Sequence, residues 1–122
     1  MKGKKVLIAE DDPIARKILV NVVETSGCIA IQASRGDTAW QVLADNPDIG
    51  LLLTDVAMPG LDGRELLKII RGQERMKELP VIVISGVIGP KEIDSLLQLG
   101  ASRFLPKPIN AQELEEYIGK LL

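Results

Sequence analysis

Four groups of polar residues, each at the end of an apolar run, have side chains suited to phosphoryl chemistry. Three acids, Glu10 to Asp12, follow the first run, and Asp55, Ser85 and Lys107 stand at or just beyond the ends of three later runs. If these runs are neighbouring strands of one parallel sheet, their carboxyl ends meet at one edge, where open α/β sheets bind ligands. Carboxylates bind Mg²⁺ and form acyl phosphates, while an ammonium and a hydroxyl stabilise charge on a phosphoryl group. The pattern therefore predicts one pocket with a phosphoryl acceptor and a metal site.

The elements that would position these residues alternate along the chain. Short apolar runs separated by longer amphipathic segments are typical of repeated βα units, and right-handed crossovers then place helices on both faces of a parallel sheet. We therefore predict an α/β fold, a single doubly wound five-stranded parallel sheet in one domain, residues 1–122. The predicted strands are Lys5–Ala9, Cys28–Ala33, Ile49–Thr54, Pro80–Ser85 and Ser102–Leu105, and the predicted helices are Pro13–Ser26, Asp37–Ala44, Gly63–Arg75, Pro90–Leu99 and a last helix from Asn110 to near Leu122.

The first predicted helix has clear signals at both ends. Asp12 is a suitable N-cap, Pro13 fits the first turn, and Gly27 is a stop signal. Asp12 is thus either a helix cap or a member of the acidic cluster. Apolar residues at helical spacing predict the face that packs on the sheet. They are Ile14, Ile18, Leu19, Val22 and Val23.

Composition excludes several classes of function. The chain has no histidine, which excludes a Ser-His-Asp triad or a His-ligated zinc site within it. The net charge of −2 and the three aromatic residues do not favour direct binding of nucleic acid. The single cysteine, Cys28, cannot form an intrachain disulfide, which favours a reducing compartment. No apolar run is long enough for a membrane span, and residues 1–5 show no signal-peptide pattern.

The longer motifs around these residues resemble the receiver domain of bacterial response regulators, the phospho-acceptor half of two-component signalling. The resemblance covers essentially the whole chain. Chemotaxis regulators of this family have a flavodoxin-like (βα)5 sheet of order 2-1-3-4-5, and the resemblance implies that order here. The motifs that carry it are residues 6–12, residues 53–63, Val83-Ile84-Ser85-Gly86, Gly100-Ala101 and Leu105-Pro106-Lys107-Pro108.

The resemblance implies a role for each acidic residue of the pocket. Asp55 would be phosphorylated by the phosphohistidine of a partner, either a sensor histidine kinase or a phosphotransfer protein. Asp11 would ligate Mg²⁺ directly, with Mn²⁺ as an alternative ion, and Glu10 would do so mainly through water. Asp55 and the backbone carbonyl of Ala57 would complete the protein ligands. Asp12, which follows the family's acidic pair, would not be a direct ligand.

The resemblance also implies a switch. Lys107 would contact the phosphoryl group, and the Lys107–Pro108 peptide bond would be cis. Ser85 would hydrogen-bond a phosphoryl oxygen and draw its loop inward, and Phe104 would then turn inward. Phe104 lacks the hydroxyl of the more frequent tyrosine, so its movement would depend on packing alone. The readout face, about residues 90–122, would bind a downstream protein or output domain, and a phosphorylation-dependent homodimer is one expected assembly.

The same family places two residues that influence phosphate loss at Ala57 and Val87. Neither side chain can orient a water molecule, so we expect slow loss of the phosphate. The expected protein is a cytoplasmic bacterial phosphoprotein rather than an enzyme, and it would bind neither membrane nor nucleic acid directly. It would be either a free-standing receiver or part of a longer regulator or hybrid kinase.

Three other functions are alternative interpretations of these residues. A phosphatase of the haloacid dehalogenase kind also has an aspartate nucleophile and Mg²⁺, but it usually carries a second acid where this chain has Ala57. A nucleotide- or flavin-binding domain would be expected to show a glycine-rich phosphate-binding fingerprint after the first strand, and the residues there are acidic. A degenerate receiver that only binds proteins is disfavoured, because each position of the acceptor site holds a competent residue.

Overall fold

The computed structural model describes residues 3–86 and 88–122. Met1, Lys2 and Val87 lie outside the described residues. The expected role of Val87 in phosphate loss therefore falls outside the described residues. So do the first two of residues 1–5, the segment in which we expect no signal peptide.

Five parallel strands form one sheet in the order β2-β1-β3-β4-β5. The predicted fold class and strand order are therefore confirmed. Each predicted strand is present; the first has the predicted ends, and the ends of the other four differ from the prediction by at most one residue. The strands are β1 (Lys5–Ala9), β2 (Ile29–Ala33), β3 (Ile49–Asp55), β4 (Val81–Ser85) and β5 (Arg103–Pro106).

Each strand is followed by a helix. The helices are α1 (Pro13–Thr25), α2 (Gly36–Asp45), α3 (Gly63–Arg71), α4 (Pro90–Gln98) and α5 (Ala111–Leu121). The predicted end of the third helix at Arg75 is wrong, because Gly72 is the C-cap and its N–H donates to the carbonyls of Lys68 and Ile69. Gly72 keeps a right-handed helical backbone conformation, and residues 73–78 continue as bends and turns.

Side chains at three helix N-termini satisfy backbone groups that the helices leave unpaired. Asp12 Oδ2 accepts from the Ala15 N–H at 3.1 Å, which confirms Asp12 as the cap of α1. At α5, Asn110 Oδ1 accepts from the Glu113 N–H at 3.0 Å. At α3, Asp62 and Glu65 form a complete capping box, in which each side chain accepts from the other residue's backbone N–H. These caps set where each helix leaves the edge of the sheet.

Two hydrophobic cores lie on opposite faces of the sheet, because alternate side chains of each strand point to opposite sides. Leu7, Leu52 and Val83 belong to the core covered by α2, α3 and Leu96 of α4. Ile8 and Leu53 belong to the core covered by α1 and α5. Because β1, β3 and β4 are buried on both faces, their sequences are nearly continuous apolar runs.

The predicted apolar stripe of α1 is only partly correct. Leu19, Val22 and Val23 are buried, but Ile14 is 73% exposed and Ile18 is 44% exposed. Helical periodicity identifies a face of a helix but not how far the sheet beneath it extends. The first turns of α1 reach beyond the end of β1, and there both isoleucines line a surface cleft with residues that follow β5.

No helix among residues 3–86 and 88–122 is long and apolar enough to cross a membrane. Cys28 is buried in the core beneath α1 and α5.

Candidate functional site

The acidic residues and the lysine predicted for the pocket meet at the carboxyl edge of the sheet. Glu10 directly follows β1, Asp55 ends β3, and Lys107 directly follows β5. The backbone N–H of Lys107 donates to the carbonyl of Ser85 at 2.8 Å, which fixes the residue after β5 against the last residue of β4. Parallel register thus places side chains from three separate segments in one pocket, next to the backbone of Ser85.

Lys107 lies at the centre of this pocket. Its Nζ is 2.7 Å from Asp55 Oδ2 and 2.8 Å from Glu10 Oε1. Burial works to lower the pKa of Lys107, but the hydrogen bonds with Asp55 and Glu10 outweigh that effect, and its pKa lies above the ordinary value. The ammonium is therefore held as a cation between two carboxylates.

Glu10 is the most buried charged group of the site. It has no exposed surface, and burial is the largest cause that raises its pKa to about 7, from an ordinary value of 4.5. Asp55 raises the pKa further, whereas Lys107 and the Asp12 N–H oppose the rise. Glu10 Oε2 accepts from that N–H at 3.2 Å. Glu10 Oε1 has the ion pair with Lys107 but no other partner among the described residues, so a buried oxygen is left with unused lone pairs.

One carboxylate oxygen from each of Glu10, Asp11 and Asp55 lies within 4.8 Å of the other two. Glu10 and Asp55 are buried and Asp11 is exposed, so the cluster is open to solvent on one side. Oxygen ligands at this spacing, with the under-used Glu10 Oε1 among them, fit a hard divalent cation such as Mg²⁺. Asp12 does not belong to this set, because its side chain caps α1.

Ala57 lies in the loop between β3 and α3, two residues after Asp55. Its N–H points to Asp55 Oδ1 at 3.4 Å, a long contact for a hydrogen bond. Its methyl side chain is exposed and offers no acid or amide group. Only the backbone of this residue can therefore take part in the site.

The predicted switch residues lie on β4 and β5. Ser85 is buried and ends β4, one residue beyond the position opposite Asp55. Phe104 is half-buried in β5, opposite Val83, and so lies back from the edge where the acids meet. The Lys107–Pro108 peptide bond is cis. The structure thus places Ser85 at the same edge of the sheet as Asp55, with Phe104 further back along the neighbouring strand.

Three interactions of the site were not anticipated from the sequence. Arg16 Nη1 donates to the Glu10 carbonyl at 2.7 Å, and its Nε donates to Gln32 Oε1 at 3.2 Å. Thr54 Oγ1 donates to the Asp55 carbonyl at 2.9 Å. These bonds secure the backbone on both sides of the acidic cluster. Arg16 lies one helical turn after Asp12, and that spacing is the only signal for it in the sequence.

A family comparison accounts for nearly the whole chain. Residues 6–119 match the family model described as "Response regulator receiver domain". A chemotaxis protein, CheY1 of Helicobacter pylori, is 33% identical over 119 residues, which cover 97% of this chain and 96% of that protein.

Solved structures show the same similarity in three dimensions. A response regulator receiver protein from Pseudomonas putida is 31% identical with a TM-score of 0.89, over 98% of both chains. The signal receiver domain of a signal transduction histidine kinase from Syntrophus aciditrophicus is 28% identical with a TM-score of 0.89, over 98% of this chain and 90% of that one.

Proposed function

The chain belongs to the response regulator receiver domains of two-component systems, and from this premise we propose that Asp55 accepts a phosphoryl group from a partner protein. The observation that carries the proposal is the triad of Glu10, Asp55 and Lys107, which are joined by contacts of 2.7 and 2.8 Å at one end of the sheet. The donor would be the phosphohistidine of a sensor histidine kinase or of a phosphotransfer protein.

The proposed reaction is a single displacement at phosphorus. An oxygen of Asp55 forms a bond to phosphorus while the bond from phosphorus to the donor imidazole breaks. The imidazole, already protonated on its other nitrogen, keeps the electron pair of that bond and leaves as a neutral group. Charge on the phosphoryl oxygens needs positive partners, and Lys107 is a preformed ammonium at hydrogen-bond distance from Asp55. Ser85 is proposed to donate a hydrogen bond to the phosphoryl group once it is attached.

We propose Mg²⁺ as the cofactor, held by Glu10, Asp11, Asp55 and the backbone carbonyl of Ala57. The clustering of three carboxylates within 4.8 Å supports this assignment, as does the buried Glu10 oxygen with unused lone pairs. The ion would neutralise the crowded carboxylates and the incoming phosphate. Mn²⁺ has the same ligand preferences and is proposed as a substitute.

The proposed readout surface consists of α4, β5 and α5, about residues 90–122. Helix α4 supports this proposal, because it contributes one buried residue, Leu96, fewer than any other helix. A weakly anchored helix can change position at low cost when Ser85 and Phe104 move. A downstream protein, an output domain or a second copy of the phosphorylated chain would bind there.

We take residues 1–122 as one receiver domain that works in the cytoplasm, where partner kinases present their phosphohistidine. The protein acts as a phospho-acceptor that assists its own phosphorylation and dephosphorylation, and not as an enzyme with an external substrate. Ala57 supports this assignment, since a phosphatase would need an acid to protonate the leaving group.

Intact-mass measurement after incubation with Mg²⁺ and acetyl phosphate tests the proposal. The wild-type chain is expected to gain the mass of one phosphoryl group, which hydroxylamine removes because the adduct is an acyl phosphate. Chelation of Mg²⁺ by EDTA should prevent the gain. Asp55→Asn, which keeps the size of the side chain, should show none.

Asp45→Asn is the matched control, because Asp45 is an exposed carboxylate of α2 that contacts Gln41 rather than the pocket. This variant should be phosphorylated like the wild type. A wild-type chain that gains no mass in the presence of Mg²⁺ would contradict the acceptor role and favour a receiver that only binds proteins. Continuous release of phosphate with many turnovers would instead favour a phosphatase.

A further inference from the structure

The loop between β3 and α3, residues 56–62, is closed at its base by Gly63. The Gly63 N–H donates to the Val56 carbonyl at 2.7 Å. A Cβ on Gly63 would overlap the Asp55 carbonyl oxygen and would lie 2.9 Å from Val56 Cα. The first residue of α3 therefore packs directly on the backbone of the proposed acceptor, and no side chain fits there unless the loop opens.

A second glycine, from a different βα unit, supports the far side of the same loop. Gly36 begins α2, and its N–H donates to the Pro59 carbonyl at 3.1 Å. A Cβ on Gly36 would overlap the Leu61 carbonyl oxygen and would lie 2.6 Å from the Leu61 carbonyl carbon. These neighbours are backbone atoms, so they cannot swing aside as the end of a flexible side chain can.

The segment between these supports carries Ala57, whose N–H lies 3.4 Å from Asp55 Oδ1. The loop is short and is tied to Gly63 at one end and to Gly36 near its middle. A displacement large enough to admit a methyl group at Gly36 must therefore move Pro59 and Leu61, and it is transmitted along the loop to Ala57. Metal sites are sensitive to such movements, because neighbouring groups orient the ligands.

We propose that Gly36 is a positioning residue for the proposed divalent-cation site. It has no part in the acidic cluster, and it acts by holding the β3–α3 loop so that the Ala57 backbone stays in place beside Asp55. The inference depends on the proposed function, in which the Ala57 carbonyl and Asp55 are ligands of the ion.

The test compares Mn²⁺ affinity with stability in Gly36→Ala. Mn²⁺ binding is measured by titration with electron paramagnetic resonance detection of the free ion, and stability by urea unfolding in EDTA. We expect Gly36→Ala to bind Mn²⁺ about tenfold more weakly than the wild type, at the lower end of the effect typical of residues that orient metal ligands.

Gly100→Ala is the matched control. Gly100 has a φ of +112°, and a Cβ there would lie 2.6 Å from Arg71 Nε, so this variant is also strained. Gly100 lies between α4 and β5, and its described hydrogen bonds are with Leu97 and Arg71, which lie outside the β3–α3 loop. It should lose stability while its Mn²⁺ affinity stays within about twofold of the wild type, since distant sites act independently. Equal losses of affinity in both variants would show a general effect of destabilisation and overturn the inference.

A second variant gives an answer even if Gly36→Ala does not fold. Gly60 lies in the loop with a φ of +80°, a conformation that strains any side chain, and the atoms nearest to a Cβ there belong to the flexible, exposed side chain of Asp37. Gly60→Ala therefore strains the loop backbone itself, and we expect it to weaken Mn²⁺ binding. A Gly60→Ala chain that binds Mn²⁺ as tightly as the wild type would show that movement of the loop does not reach the cation site, and it would overturn the inference.

The wild-type titration separates the two proposals. If the wild type binds no Mn²⁺, the proposed cation site fails and the inference fails with it. If the wild type binds and Gly36→Ala binds equally well, only the role of Gly36 is overturned.

Discussion

Replacing Glu10 by glutamine should stabilise the metal-free protein at pH 8 and have little effect at pH 5. Glu10 is fully buried, and burial raises its pKa in the folded chain to about 7 from an ordinary value of 4.5. Between these values the folded protein holds a proton that the unfolded chain has released. The unfolding free energy of the wild type therefore falls as the pH rises from about 4.5 to about 7.

The size of the effect follows from the two pKa values. Their difference is 7 − 4.5 = 2.5, and at about 1.4 kcal/mol for each pKa unit the ionised carboxylate costs about 3 kcal/mol. Glutamine keeps the volume of the side chain and an oxygen that can accept from the Asp12 N–H. The raised pKa already includes the opposing attraction to Lys107, so we expect a gain of about 3 kcal/mol at pH 8.

Urea unfolding in EDTA at pH 5 and pH 8 measures this difference. Glu115→Gln is the matched control, because Glu115 is an exposed residue of α5 and the same change there removes no buried carboxylate. The control should change the unfolding free energy by less than about 0.5 kcal/mol at both pH values.

A Glu10→Gln chain that is no more stable than the wild type at pH 8 would contradict a cost of burying the ionised Glu10. An equal gain at both pH values would contradict it as well, because the gain must come from a charge that is absent at pH 5. A changed m-value would indicate an altered unfolded state rather than a changed site.

Three further predictions concern the site and its supports. Lys107→Ala should lower the unfolding free energy by about 1–3 kcal/mol at pH 8 and by less at pH 5, because removal of the ammonium leaves the Glu10 and Asp55 carboxylates facing each other. The same urea titrations measure this difference. Leu19→Ala should lower the unfolding free energy by about 2–5 kcal/mol, whereas Ile14→Ala should lower it by less than about 0.5 kcal/mol, because only Leu19 is buried. Equal losses of the two variants in urea unfolding would contradict the packing of α1. Asp62→Ala should lower the unfolding free energy by about 1 kcal/mol, because it removes the capping box of α3. An unchanged midpoint of thermal unfolding would contradict a stabilising role of that cap.

The sheet and most of its edge were predictable from local sequence. The buried runs before Glu10 and Asp55 are continuous because both faces of these strands are covered, and Asp12 has the residue type and position of a helix cap. The sequence also contains the pattern of the Asp62–Glu65 capping box, an acid followed three residues later by a glutamate, but we did not predict that box.

The parts that could not be predicted depend on contacts between distant segments. Nothing in the order of Glu10 and Asp11 tells which carboxylate turns inward, yet the first is buried with a raised pKa and the second is exposed. The exposure of Ile14 depends on where the sheet ends beneath α1. The close approach of Gly36 to Leu61 joins two loops that no sequence pattern connects.

The strand order has a consequence for synthesis on the ribosome. Because β1 lies between β2 and β3, the first three strands can pair before β4 and β5 have emerged from the exit tunnel. The nascent sheet then presents Glu10 and Asp55 without the lysine, which lies 52 residues after Asp55. The two carboxylates therefore have no ammonium partner until the last strand docks, so the ion pairs of the pocket form late in folding on the ribosome.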